Sequence, residues 1–266
     1  MRPMLRRIWG LMYRHLALYT RSWPRMMELA YWPVLQMCIW GFTARFLAMR
    51  MGNPALMAGA TLLGGVLLWE VTLRSQMGVS ITFMEEMWSR NLGHVFVSPL
   101  RPFEMLLALI GMSILRMLIG VMPAILLAWA LYAFNLFSLG PVLVLFFINL
   151  MIMGWAVALG VVSLVLRHGA GAEPLAWALL FGLAPFSAVF YPVSVLPAVI
   201  RPLALLLPST HVFEGMRAAL NMGVVRWDHL AAAFGLNLIW MAGAALLFAR
   251  QFRTARESGA LISIGE

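Results

Sequence analysis

Long apolar stretches run through most of this chain and constrain its fold more than any other feature of the sequence. A helix needs about 20 predominantly apolar residues to cross a bilayer. Six stretches approach or exceed that length, at residues 31–49, 56–84, 103–134, 139–166, 175–191 and 230–249. Because lipid offers the backbone no hydrogen bonds, such stretches are stable in a membrane as helices. The sequence therefore predicts an all-α integral membrane protein with six transmembrane helices.

The composition indicates the same class of protein. Apolar residues make up 63% of the 266 residues and charged residues only 11%, whereas soluble proteins carry about 25% charged residues. The formal charge of +9 could indicate nucleic-acid binding, but the arginines concentrate at the chain ends and between the apolar stretches. This distribution is typical of a membrane protein. We therefore expect membrane lipids as partners and no nucleic acid.

The arginines also predict the orientation of the chain. Segments on the side of the N-terminus hold twelve arginines, and segments on the other side hold five. Cytoplasmic loops are enriched in basic residues. Both termini are therefore expected in the cytoplasm. An even number of spans agrees with this, because it requires both termini on the same side of the membrane.

All 19 basic residues are arginine, and this excludes several catalytic mechanisms. A Walker A loop needs a lysine at the phosphates, and a Schiff-base enzyme needs one as its nucleophile. No nucleophile motif such as Gly-x-Ser-x-Gly occurs. The single cysteine is Cys38, and the histidines are scattered along the sequence at His15, His94, His168, His211 and His229. The sequence therefore predicts no catalytic residue, no bound cofactor and no metal site.

Residues 1–28 have the pattern of an amphipathic helix. Arg7, Arg14 and Arg21 recur every seven residues, and Arg25 follows one turn later. Apolar residues recur on another side at near-helical spacing, at Leu5, Ile8, Met12, Tyr19 and Trp23. This pattern predicts a cytoplasmic interfacial helix whose arginines face anionic lipid. The alternative is a helix that packs on other protein.

Three charged residues lie deep in the predicted spans. Glu70 and Arg74 are four residues apart, which suits an ion pair on one helix face, and Arg116 lies near the middle of the third span. Charges at this depth are costly and seldom face lipid. They either form a structural helix–helix contact or line a transport pathway, where Arg116 would favour an anionic substrate.

A short charged segment, residues 85–94, connects the second and third predicted spans. Its residues able to contact a partner are Glu85, Glu86, Trp88, Arg90 and His94. A brief helix here would hold these side chains rigidly at the cytoplasmic surface. This indicates a docking surface for a cytosolic protein, and the alternative is an ordinary polar loop.

The connection between the fifth and sixth predicted spans is unusual. About 38 residues separate the two spans, and they contain Pro192, Pro197, Pro202 and Pro208 among apolar residues. The segment is too interrupted to span the membrane and too apolar for a solvated loop. A re-entrant pair of short helices, with backbone ends buried by protein, fits best.

The chain resembles the permease subunits of ABC-2 type exporters over nearly all of its length. One shared segment runs from Glu85 through Ser98-Pro99-Leu100 to Glu104. In that family it contains the coupling helix that an ATPase subunit engages. The other is similar to the proline-rich re-entrant segment of the family and contains Phe190-Tyr191-Pro192, Leu196-Pro197, Leu207-Pro208-Ser209-Thr210 and Glu214-Gly215-Met216-Arg217. The family often has Asn-Pro where this chain has Leu207-Pro208.

The resemblance implies an interfacial helix at residues 1–28 and a six-helix permease domain at 29–266, with a coupling helix at 85–94 and a re-entrant segment at 192–217. It implies a cytosolic ABC ATPase as partner, with ATP and Mg bound on that subunit and no cofactor on this chain. A second permease copy, identical or paralogous, would complete the transporter. The expected location is the bacterial inner (cytoplasmic) membrane, with multiple passes and both termini cytoplasmic.

The leading hypothesis for function is therefore a permease subunit, not itself an enzyme, that exports a lipid, a glycan or a hydrophobic small molecule. One alternative is the permease of a haem exporter for cytochrome maturation. Another is a membrane enzyme or assembly protein without a transport role. An ATPase partner would distinguish the two transporters from the third possibility.

Overall fold

The computed structural model describes residues 2–51, 53–89 and 101–257, and the regular structure within them is entirely helical. The α-helices of the described residues are α1 (Arg2–Thr20), α2 (Trp23–Met51), α3 (Asn53–Trp88), α4 (Pro102–Tyr132), α5 (Val142–His168), α6 (Leu175–Leu183), α7 (Arg201–Leu205), α8 (Pro208–Met222) and α9 (Trp227–Glu257). Short 3-10 helices occur at Leu136–Leu139, Gly169–Ala172, Ala184–Phe186 and Val193–Val195. The predicted all-α class is confirmed for this part of the chain.

Three of these helices are long and apolar enough to cross a membrane. They comprise Phe103–Tyr132, Val142–His168 and Trp227–Glu257. The helices α2 and α3 have 29 and 36 residues, or about 43 and 54 Å at 1.5 Å per residue, so their lengths also suffice. The membrane character rests on these features, and the count of six spans stays a prediction.

The fifth predicted span, residues 175–191, is not one helix. The helix α6 ends at Leu183, and a 3-10 turn at Ala184–Phe186 follows. Pro185 has no backbone N–H to continue the helical ladder. Ala188 then adopts a positive φ of 54°, which is uncommon for a residue with a side chain. The prediction of a continuous helix to Tyr191 is therefore wrong.

The N-terminal helix is separate from the first long helix. The chain leaves helical geometry at Arg21 and Ser22, and α2 starts at Trp23 with Pro24 in its first turn. Proline is tolerated there because the first N–H groups of a helix have no partner within it. The two-residue break allows α1 to lie on the bundle instead of extending α2.

The helix α3 is the centre of the bundle and packs on α2, α4 and α5. Glycines allow the backbones to approach: a Cβ at Gly78 would lie 2.7 Å from Ser113 Cα, and a Cβ at Gly154 would lie 2.7 Å from the Thr72 carbonyl oxygen. Ser113 Oγ also donates a hydrogen bond of 2.7 Å to the Ser75 carbonyl. Small residues and polar contacts of this kind hold helices together where burial from water supplies no driving force.

Two apolar clusters define the two ends of the bundle. The proximal end, where α1 lies, joins the end of α3, the start of α4, the end of α5 and the start of α6, with core residues that include Phe83, Met87, Met105, Val165 and Ala176. The distal end joins the α4–α5 hairpin, α8 and the first turns of α9, with core residues that include Phe134, Leu139, Phe213, Met216 and Leu230.

The close approach of α3 and α5 generates a test of the packing. Replacing Gly154 with Ala places a Cβ against backbone atoms, and overpacking of this kind costs about 1–3 kcal/mol. The control is Gly160→Ala on the same helix, where a Cβ meets no atom within 4 Å. Thermal scans followed by tryptophan fluorescence should show a lower midpoint for Gly154→Ala and an unchanged or higher one for Gly160→Ala. Equal midpoints for the two variants would contradict the packing of α3 on α5.

Candidate coupling site

The N-terminal helix is attached to the bundle by ion pairs with carboxylates of α3 and α4. Arg7 forms a bidentate pair with Glu104 at the start of α4, with 2.5 Å from Nη2 to Oε1 and 2.9 Å from Nε to Oε2. Glu104 Oε2 also accepts a hydrogen bond of 2.9 Å from the backbone N–H of Arg101. Arg14, two turns after Arg7, lies 3.2 Å from Glu86 at the end of α3. The spacing of seven residues therefore places Arg7 and Arg14 on the side of α1 that contacts the other helices.

His15 is the most deeply buried charged or titratable residue of α1, with 1% of its surface exposed. Its Nε2 lies 2.9 Å from Glu86 Oε1, and its Nδ1 lies 3.7 Å from Glu85 Oε2. Burial lowers the pKa of His15, but the hydrogen bonds and charges of Glu85 and Glu86 outweigh it, so the pKa is raised above its ordinary value of 6.5. The two carboxylates therefore favour the protonated form of the histidine.

Arg116 of α4 belongs to the same group of residues. Its Nη2 donates a hydrogen bond of 3.1 Å to Glu85 Oε2, and its guanidinium lies 4.3 Å from the centre of the Tyr19 ring. Tyr19 OH donates a hydrogen bond of 3.4 Å to Glu85 Oε1. Burial raises the pKa of Tyr19 to about 12, so the phenol stays protonated as a donor. Arg116 thus reaches the proximal end of the bundle, and its charge is paired with that of Glu85.

These contacts form one structural unit, which we call the anchor cluster. It consists of Arg7, Arg14, His15, Tyr19, Glu85, Glu86, Glu104 and Arg116. Its carboxylates are those of Glu85 and Glu86, the first two residues of the predicted coupling segment, and of Glu104, which lies beyond the end of that segment. The predicted contact residues Arg90 and His94 lie outside the described residues, as does Ser98-Pro99-Leu100.

The predicted docking residues that are described differ in their surroundings. Glu86 is 1% exposed and Glu85 is partly buried, and both face α1. Trp88, in contrast, is 51% exposed at the last residue of α3. Among the described residues of the predicted coupling helix, Trp88 is thus the large side chain that a partner can reach. The residues 85–88 continue α3 and do not form a separate helix.

The outer side of α1 is apolar. Leu5, Trp9 and Tyr13 recur every four residues and are exposed. They form one stripe on the helix surface. The prediction that the arginines face lipid is wrong for Arg7 and Arg14, which pair with carboxylates of the bundle. Tyr19, predicted on the apolar side, is buried, and the exposed apolar stripe is the one that can face lipid.

A cavity of about 350 Å³ lies beside the anchor cluster, between α2, α3, α4 and α6. Arg74 and Arg116 line it together with Arg25. Its other polar and aromatic walls are Tyr19, Glu28, Trp32, Glu85, Trp88, Glu173 and Trp177. Glu70 does not line the cavity; it is buried and pairs with Arg74, with 3.2 Å from Oε2 to Nε. Two of the three charged residues singled out in the spans therefore share one cavity.

The segment predicted to be re-entrant is held by Arg217 and Glu214 of α8. Arg217 Nη2 donates hydrogen bonds to the carbonyls of Ala188, Val189 and Tyr191. Glu214 Oε1 accepts a hydrogen bond of 2.8 Å from the N–H of Val193 and forms an ion pair of 3.2 Å with Arg217 Nη1. One ion pair thus satisfies the irregular backbone of residues 188–193, which a membrane environment requires.

The prolines of this segment start its short helices. Pro192 precedes the 3-10 turn Val193–Val195. The Pro197 carbonyl accepts hydrogen bonds of 2.9 and 3.2 Å from the N–H groups of Ile200 and Arg201. Pro208 is the first residue of α8, which continues to Met222. The regular helices here are one of five residues and one of 15. Whether they enter a bilayer stays a prediction.

Sequence reasoning did not identify the anchor residues of α1 as partners of the loop carboxylates. A signal was available, because Glu85, Glu86 and Glu104 are three of only ten acidic residues and the N-terminal helix has a basic stripe. Charge complementarity between the two segments could have predicted the contact. The burial of His15 had no such signal, since it depends on the angle at which α1 crosses α3 and α4.

The profile of the ABC-2 type transporter family matches residues 6–221. The chain belongs to the ABC-2 type transporter family. The match includes nearly all of α1, the helices that flank the coupling segment and most of α8. A comparison with curated proteins found no match. In ABC-2 transporters the membrane domain is a permease component that works with a separate ABC ATPase, so the anchor cluster belongs to the membrane half of such a transporter.

The raised pKa of His15 generates a pH prediction. A group whose folded-state pKa lies above its ordinary value of 6.5 stabilises the fold fully below that value, and the contribution is lost as the pH rises through the folded-state pKa. The attachment of α1 should therefore weaken above about pH 6.5. Hydrogen–deuterium exchange of α1 amides, corrected for intrinsic exchange, should show falling protection in this range.

The matched variants are His15→Gln and His168→Gln, the second being an exposed histidine at the end of α5. His15→Gln should abolish the pH dependence of α1 protection above pH 6.5, and His168→Gln should keep it. A pH dependence that survives in His15→Gln would rule out His15 as its source.

Proposed function

We propose that this chain is the membrane-spanning permease subunit of an ATP-driven ABC-2 exporter, which moves a lipid, a glycan or a hydrophobic small molecule out of the cytoplasm or the inner leaflet. The observation that carries the proposal is the family match over residues 6–221. The absence of lysine from the sequence agrees with it, because ATP must then be hydrolysed on another subunit. ATP and Mg would bind to that subunit and not to this chain.

In the proposed mechanism, two permease copies enclose a pathway and two ATPase subunits bind at the proximal end. Binding of ATP closes the ATPase pair and displaces the coupling segment at residues 85–94. The anchor cluster joins α1 to Glu85 and Glu86 at the start of that segment and to Glu104 beyond its end. A displacement of the segment would therefore reach α1, α3 and α4 together. Buried ion pairs support such a rigid unit. Separating the two members of a pair would leave a buried charge without a partner, which is costly.

The structure changes the role that we propose for Glu85 and Glu86. Their carboxylates face His15, Arg14 and Arg116, so we assign them to positioning of the coupling segment. Direct contact with the ATPase is assigned to Trp88 and to the residues that follow it. Large exposed aromatic residues are frequent centres of protein–protein interfaces.

The cavity beside the anchor cluster is the part of the chain that we propose as a substrate pathway. Three arginines and three glutamates line it, so the positive and negative charges of its wall balance. Arg116 contributes no surplus charge because Glu85 pairs with it. A wall of this kind suits an amphiphile with a polar head group, and Trp32 and Trp177 supply apolar surface for its hydrophobic part. This refines the expectation of an anionic substrate.

The proposal predicts a partner that can be isolated. The tagged chain, purified from its native membrane in mild detergent, should retain a stoichiometric soluble ATPase with Walker motifs, identified by mass spectrometry. Trp88→Ala should reduce the recovered ATPase about tenfold or more, the usual effect of truncating a central interface tryptophan. The control is Trp227→Ala, at the distal end, whose side chain is 66% exposed.

The two readouts test different statements. Absence of any ATPase from the wild-type preparation, when other membrane complexes stay intact, would contradict the permease function. Full recovery of the ATPase with Trp88→Ala would instead overturn the docking role of Trp88 and leave the function standing.

A further inference from the structure

Two histidines that are far apart in sequence meet at the distal end of the bundle. His211 lies in the first turns of α8 and His229 in the first turn of α9. Their Nδ1 atoms are 3.2 Å apart. The anchor cluster and the cavity are at the other end and do not involve these side chains. We propose that His211 and His229 form a binding site for a divalent transition-metal ion of the Zn²⁺ class.

The separation of the two nitrogens matches that of two ligands on one ion. Zn–N bonds are about 2.0–2.1 Å long, so two nitrogens on a tetrahedral ion are about 3.3–3.4 Å apart. The observed separation of 3.2 Å is within about 0.2 Å of that value, so a turn of the two rings in place would direct both lone pairs at one ion. Neutral imidazole is a ligand that suits Zn²⁺, Cu²⁺ and Ni²⁺, whereas Mg²⁺ and Ca²⁺ prefer oxygen.

The second nitrogen of His211 supports this assignment. His211 Nε2 lies 2.9 Å from the carbonyl oxygen of Leu205, so the Nε2–H donates there. The proton is thereby held on Nε2, and Nδ1 keeps its lone pair for a ligand bond. Metal-binding histidines typically donate their other N–H to a carbonyl or carboxylate in this way.

The backbone around the pair is held by contacts that do not involve it. Trp240 Nε1 of α9 donates a hydrogen bond of 3.1 Å to the carbonyl of Leu206, the residue after Leu205, whose carbonyl accepts the hydrogen bond from His211. Arg217 and Glu214 hold α8 against residues 188–193. Because α8 and α9 are fixed by these contacts, the two imidazoles are brought together before an ion binds, which is what an effective metal site needs.

The protein supplies two ligands, and solvent supplies the rest. Among the described residues, no group of three or more His, Cys, Asp or Glu side chains is positioned to hold a metal ion. Asp228 is the neighbouring carboxylate, and Arg226 engages it at 2.6 and 2.9 Å. Both histidines are partly exposed, so an ion can reach them and keep water in its open positions. A bound ion would join α8 to α9 and restrain the segment that Arg217 holds.

The competing explanation is a single shared proton, with His229 Nδ1–H donating to His211 Nδ1. An experiment on the full wild-type chain distinguishes the two. The chain is purified without a polyhistidine tag and titrated with Cu²⁺ as the probe. Electron paramagnetic resonance should detect one Cu²⁺ per chain, with hyperfine coupling to two imidazole nitrogens. Binding should weaken below about pH 6, because protonated imidazole cannot bind a metal.

Variants assign the signal to the pair. His211→Gln and His229→Gln should each weaken Cu²⁺ and Zn²⁺ binding at least tenfold and remove the two-nitrogen signal, and the double variant should be no worse than either single one. His168→Gln, at the proximal end, should bind like the wild type. A wild-type spectrum with fewer than two coupled nitrogens, or unchanged affinity in His211→Gln, would show a shared proton and an adventitious ion only.

Discussion

The attachment of α1 to the end of α3 and the start of α4 depends on three buried or partly buried carboxylates, each of which has a cationic partner. Glu86 meets Arg14 and His15, Glu85 meets Arg116, and Glu104 meets Arg7. A buried charge without a partner is strongly destabilising, so removing one cation of this group costs more than the contact that it makes. The position of α1 therefore follows from the chemistry of the residues that flank the coupling segment.

The distal end of the protein is organised by a different principle. There the irregular backbone of residues 188–193 needs hydrogen-bond partners, and Arg217 with Glu214 provides them. The same helix carries His211 to its contact with His229. The bundle thus has a charged unit at the end proposed to bind the ATPase and a separately braced segment at the other end, connected through the closely packed α3, α4 and α5.

Much of the fold could be predicted because the sequence properties involved are local. Apolar stretches predict helices, and the family match confirms the resemblance carried by the segments around Glu85 and Pro208. The fifth predicted span is broken at Pro185, which has no N–H to continue the helical ladder, and hydropathy alone does not register this. Charge complementarity indicates that the N-terminal helix contacts Glu85 and Glu86, but the burial of His15 and the meeting of His211 with His229 depend on how helices cross, which no local pattern encodes.

In the proposed mechanism, α1 moves with α3 and α4 as one unit when ATP binds to the partner. Double electron–electron resonance tests it most directly, with spin labels at Tyr13 and Phe103, both exposed, in a Cys38→Ser background. The distance is measured in the reconstituted transporter without nucleotide and after vanadate trapping, with trapped nucleotide verified chemically. With the label pair in one permease copy and the other copy unlabelled, we expect one narrow distribution that is the same in both states. A shift or a broadening on trapping would contradict it, because α1 would then move independently of the helices that flank the coupling segment.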